Sequence, residues 1–127
     1  KASGSLGMGG GQSIDLDSTN KTIGLDTLEN MHRMKTGALI KASVLLGAMT
    51  AGDIDPSHHE ALSRYADAIG LAFQVPDDIL DIESDTQTLG KPQGSDQEND
   101  KNTYPALLGL EGSKLKLADL LQLALQA

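Results

Sequence analysis

Apolar residues recur at three- and four-residue steps along most of this chain, and each such run predicts a helix. The first runs from Thr27 to about Met49 and ends near Gly52, with Leu28, Met31, Ala38, Ala42, Leu45 and Met49 on one stripe. Asp26, followed three residues later by Glu29, has the spacing of a capping box at its start. A second helix begins at Pro56-Ser57, with Ser57 as the cap and Glu60 three residues on. Its apolar positions are Leu62, Ala66, Ile69, Phe73 and Leu80. Pro76 falls inside it, removes the hydrogen bond to the carbonyl of Ala72 and predicts a kink. Next comes a polar stretch, 84–102; Thr103 then caps a short helix to about Leu110, and a last helix starts at Ser113. The glycine-rich run 7–12 predicts close backbone packing or a helix break. It is not a nucleotide loop, because Gln12 stands where GxGxxG needs its last glycine and no GK[ST] follows.

Two intrusions into this pattern carry candidate chemistry. Lys35 lies on the apolar stripe of the first long helix. Either it snorkels at the stripe's edge or its ammonium is aimed at an anionic ligand. On the second helix Gly70, Gln74, Asp77 and Asp81 follow steps of four, three and four, a small, amide and acidic face with room for a ligand. Asp77 and Asp81 repel by a few tenths of a kcal/mol (about 0.2–0.5) at this spacing. A hard divalent cation reverses the sign, since Mg²⁺ and Ca²⁺ prefer carboxylate oxygens. The alternative is a solvated acidic helix face. The polar stretch holds Lys91 and Lys101, which suit either a surface loop or a lid closing over an anion.

Composition narrows the classes. Only Tyr65, Phe73 and Tyr104 are aromatic, and hydrophobic content of 39% is rich in Ala and Leu, which favours helix-on-helix packing over a sheet. With no cysteine there is neither a disulfide nor a thiolate metal site. A net charge of −8 argues against nucleic acid, so an anionic ligand needs a metal bridge or selected lysines. No apolar run approaches the roughly 18 residues of a membrane span and no leader is visible, which sets a cytoplasmic protein as the default expectation. An EF-hand fails: counted from Asp81, the sixth position is Thr86 and the twelfth Pro92. His58 and His59 face apart in a first helical turn and read as solvated.

Five ordered segments, GMGGGQSIDL (7–16), MHRMKTGALI (31–40), IGLAFQVPDDILD (69–81), LGKPQGSD (89–96) and KNTYPALLGL (101–110), together resemble the trans-prenyltransferase, or polyprenyl synthetase, family. Within it they are similar to bacterial short-chain synthases of the farnesyl type. The resemblance implies an all-α fold of antiparallel helices around a deep cavity. It implies Mg²⁺-dependent head-to-tail condensation of an allylic diphosphate with isopentenyl diphosphate to farnesyl diphosphate, or to a C10 or C20 product. By the same resemblance DDILD is the second of two Asp-rich motifs. Asp77 is then the most direct Mg²⁺ ligand, with Asp78 and Asp81 ligating the ion or its waters. Lys35, Lys91 and Lys101 contact diphosphate oxygens, and Thr36 and Gln74 line the allylic site near the developing cation. A homodimer is the family's common state. The first Asp-rich motif has no counterpart here, because Asp15 and Asp17 lack its spacing. Residues 1–127 therefore read as a single partial domain, the C-terminal half of a synthase supplying one half-site and inactive alone. Pro76, and Met34 where relatives often carry His, depart from the family pattern. Other readings are a non-catalytic Mg²⁺–diphosphate module, a structural helical fragment, and a terpene cyclase of the same fold.

Overall fold

The computed structural model describes residues 1–83 and 102–127, and among them it is helical, with no strand. Helix α1 spans Met8–Ser18 and α2 Leu25–His32; a π-helical turn, Arg33–Gly37, joins α2 to α3, Ala38–Met49. Helix α4 spans Pro56–Glu83 and α5 spans Tyr104–Gln126.

Most of the glycine run lies within α1, where the packing leaves no room for side chains. A Cβ on Gly11 would lie within 2.6 Å of the Lys35 Cα, so α1 rests directly on the π turn. A second close crossing joins the π turn to α4, where a Cβ on Gly70 would come 3.0 Å from the Gly37 Cα. One turn on, Lys41 meets Asp67 at 3.3 Å, so α3 runs antiparallel to α4. Helix α5 lies along α4. Thr103 caps it, its side chain accepting from the Ala106 N–H, and Pro105 follows in the first turn. The expected break between a short helix and a last helix falls at Gly109, whose φ of 75° leaves the helical region. Beyond it the chain returns along α4: Lys114 pairs with Glu83 at 3.0 Å and Leu120 joins Leu71 in the core.

Several expectations are corrected. Helix α2 starts at Leu25 with Gly24 at the cap position and no side-chain cap bond, so Asp26 and Glu29 form no capping box. Glu29 is instead buried, held by tertiary partners. Helix α4 already includes Pro56, which puts Ser57 inside the helix rather than at its cap. Pro76 lies inside α4, where the sequence places it. The stripe drawn through Lys35 holds for Leu28 and Met31 but not beyond, because the wider π turn rotates the residues after it; α3 buries no residue, and Met49 is exposed. On α4 Ala66, Ala68, Leu71, Ala72, Val75 and Ile79 are buried, and the last four pack with Leu28, Met31, Tyr104 and Leu120. Phe73 and Leu80, expected inside, are 59% and 53% exposed.

Candidate functional site

The π turn meets the middle of α4 at the Gly37–Gly70 crossing. Lys35 and Thr36 directly precede Gly37 in the π turn, and Gln74 lies about one helical turn past Gly70 on α4. Asp77 lies seven residues past the crossing, about 10 Å along the helix axis. A π turn supplies an extra residue to a helix and is over-represented at functional sites, because it redirects side chains that a regular helix would stack.

Lys35 is half-buried and its ammonium lies 2.7 Å from the Asp15 carboxylate on α1. The lysine on the apolar stripe is thus a paired cation facing α1. Asp15, which lacks motif spacing in the sequence, is its partner.

The three carboxylates of DDILD have different surroundings. Asp77 is exposed and Asp81 half-buried, one turn apart on one face. Phe73, one turn before Asp77, and Leu80, three residues after it, share that side and are exposed. Asp78 points the other way. It is 4% exposed; one oxygen accepts from the Gln74 side-chain amide at 3.0 Å and the other from the Tyr104 backbone N–H at 3.1 Å. Asp77 and Asp81 therefore fit the hard oxygen donors that Mg²⁺ takes from protein when waters and substrate phosphates complete its octahedron. Asp78 is already committed within the fold. Among the described residues no cluster of three or more His, Cys, Asp and Glu forms a closed metal cage. Lys91 and Lys101, and the lid expected around them, lie outside the described residues.

Behind this face is a buried polar group that the periodicity did not indicate. The Tyr104 hydroxyl donates to Glu29 at 2.9 Å, and Lys116 pairs with Glu29 at 3.1 Å. Burial and the Glu29 carboxylate push the Tyr104 phenol well above its ordinary range. His32 stacks on Tyr104, with ring centroids 5.6 Å apart at 23°. Neither ring nitrogen of His32 has a hydrogen-bond partner among the described residues. Burial foremost, with Lys35 adding repulsion, lowers its pKa to about 4. Asn102 ties the start of α5 to the α1–α2 turn, donating to the carbonyls of Ser18 and Lys21 and accepting from the Ile23 N–H. The sequence signal for this group was the KNTYP segment itself, in which Asn102, Thr103 and Tyr104 each make an anchoring bond.

No helix among the described residues is long and apolar enough to cross a membrane. A family model described as polyprenyl synthetase matches residues 2–126. The chain is 57% identical over 126 residues to a farnesyl diphosphate synthase of Escherichia coli, covering 99% of this chain and 42% of that protein. It is 52% identical to the farnesyl diphosphate synthase of Haemophilus influenzae, covering 98% of this chain and 43% of that one. It therefore spans less than half the length of these relatives. Among solved structures, a putative farnesyl-diphosphate synthase from Marinomonas superposes with a TM-score of 0.80 at 47% identity, over 98% of this chain and 41% of that one. A geranyltransferase from Helicobacter pylori, complexed with magnesium and isoprenyl diphosphate, gives 0.79 at 34% identity, over 94% and 39%. With nearly every residue matched by the family model and the all-helical fold matched to these structures, the chain belongs to the polyprenyl synthetase family.

Proposed function

We propose that the protein carrying this chain is a short-chain trans-prenyltransferase. It joins an allylic diphosphate head-to-tail to isopentenyl diphosphate, with farnesyl diphosphate as the product, and this chain supplies the second Asp-rich half of the site. The observation that carries the proposal is the exposed face of α4. There Asp77 and the half-buried Asp81 sit one turn apart, beside the exposed apolar side chains of Phe73 and Leu80. An acidic pair beside uncovered apolar surface suits a ligand with a metal-bound anionic head and a hydrocarbon tail. The high identity to farnesyl diphosphate synthases, and the magnesium and isoprenyl diphosphate in the Helicobacter pylori complex, support the same assignment.

In this reading Asp77 and Asp81 hold Mg²⁺, which supplies charge neutralisation at the departing diphosphate. Lys35, Lys91 and Lys101 contact diphosphate oxygens, so Lys35 exchanges its partner Asp15 for the ligand. Thr36 and the Gln74 amide border the allylic carbon where positive charge develops. The 127 residues alone bind Mg²⁺–diphosphate without turnover, and the active form is a homodimer of the longer protein. The test is incubation of the full protein with geranyl and isopentenyl diphosphates, with and without Mg²⁺, followed by mass analysis of products. A C15 diphosphate formed only with Mg²⁺ is expected, and Asp77→Ala should cut its rate by about 10²-fold or more. Product formation indifferent to Mg²⁺ or to Asp77→Ala would overturn the assignment.

A further inference from the structure

The middle carboxylate of DDILD is the exception on its helix. Asp77 is exposed and Asp81 half-buried, whereas Asp78 is buried and accepts a hydrogen bond at each oxygen. A carboxylate that accepts at both oxygens requires a donor from Gln74, so the glutamine must turn its NH₂ group toward Asp78. The carbonyl oxygen is then the end of the amide left for a ligand. The anchor on the far side is rigid in its turn. Tyr104, whose backbone N–H holds the second Asp78 oxygen, is fixed by its hydroxyl on Glu29, by Lys116 behind Glu29 and by the stacked His32 ring.

Resting on the prenyl-transfer reading above, we propose that Asp78 is a positioning residue rather than a metal ligand: held by Tyr104, it fixes the Gln74 amide with its carbonyl oxygen toward the allylic group. The sign of that dipole matters. A carbonyl oxygen carries partial negative charge and stabilises a cation developing beside it, whereas the NH₂ end opposes it. Asp78 thus sets the direction of a neutral dipole, and Asp77 and Asp81 carry the charge that meets the metal.

The discriminating substitution is Asp78→Asn, which keeps shape and removes the obligation to accept. With its own carbonyl held by the Tyr104 N–H, the substituted side chain presents NH₂ to Gln74, and the Gln74 amide must flip. In the full protein we expect kcat to fall by about tenfold to a hundredfold, while the Mg²⁺ concentration at half-maximal rate stays at the wild-type value. Asp77→Asn, in contrast, should raise that Mg²⁺ requirement. Gln74→Met, which removes the dipole altogether, should lower kcat by a similar factor, and the double variant should lose little more than either single one. Calorimetry with Mg²⁺ and inorganic pyrophosphate gives a readout free of turnover: binding survives in Asp78→Asn and weakens in Asp77→Asn. An Asp78→Asn enzyme that needs as much extra Mg²⁺ as Asp77→Asn, or loses pyrophosphate binding equally, overturns the inference. So does a Gln74→Met enzyme with wild-type kcat, which covers the case in which Asp78→Asn does not fold. A wild-type protein that makes no prenyl product refutes the functional reading itself, and the calorimetric comparison still decides whether Asp78 is a ligand.

Discussion

His32 offers a quantitative test of the buried group behind the site. Its ring is 4% exposed, stacks on Tyr104 and leaves both nitrogens without a partner among the described residues. Its pKa falls from 6.5 to about 4, first through desolvation and then through Lys35, against opposing pulls from Asp15 and Glu29. The sign comes from linkage. Between pH 6.5 and 4 the unfolded chain binds a proton that the folded chain refuses, so the contribution is whole above 6.5 and is lost as pH falls through that window. The full shift corresponds to about 3 kcal/mol, of which about 2 kcal/mol is already gone at pH 5.

His32→Phe keeps an aromatic ring against Tyr104 and deletes both polar atoms. If those nitrogens are unpartnered, the variant is as stable as wild type at pH 7.5, or more stable by about 1 kcal/mol. It also loses about 2 kcal/mol less than wild type between pH 7.5 and 5. Urea denaturation of both proteins at the two pH values measures the difference as a shift in midpoint at constant slope. A Phe variant destabilised by more than about 1 kcal/mol at pH 7.5 would show that the nitrogens are hydrogen-bonded. Parallel pH dependence in the two proteins would show that His32 is not the group that titrates.

Other substitutions test separate contacts. Tyr104→Phe removes the donor to the buried Glu29 and should cost about 2 kcal/mol in denaturant unfolding, since Glu29 then keeps Lys116 as its remaining side-chain partner in this group. Gly11→Ala drives a Cβ into the Lys35 backbone and should destabilise by about 1–3 kcal/mol despite the better helix propensity of alanine. Gly47→Ala is its control: nothing lies within 4 Å of the added methyl, and the protein should gain about 1 kcal/mol. A loss at Gly47 equal to that at Gly11 would refute the close-packing explanation.

These features divide by whether their cause is local. The acidic face was legible because a helix alone dictates that Asp77 and Asp81 share it, and α4 forms there despite Pro76. Thr103 as a cap was legible for the same reason, since its acceptor and the Ala106 N–H are three residues apart. The π turn was not: the three- and four-residue steps run unbroken across 33–37, and the turn coincides with crossings at Gly11–Lys35 and Gly37–Gly70 between residues far apart in sequence. The spacing of Glu29 imitates local capping, and its burial is hidden because its partners, Tyr104 and Lys116, are 75 and 87 residues away. The outward placement of Phe73 and Leu80 is the most instructive miss. Their apolar character predicts the core, yet Ala68, Leu71, Ala72, Val75 and Ile79 already fill the face against α5 and the π turn. An apolar residue left outside a filled face, on the same side as a carboxylate pair, is explained better by what it meets from outside than by the packing of this chain. Leu16, Leu46 and Leu125 are more exposed still, so exposure alone does not single out this face; what distinguishes Phe73 and Leu80 is the Asp77 carboxylate on the same side.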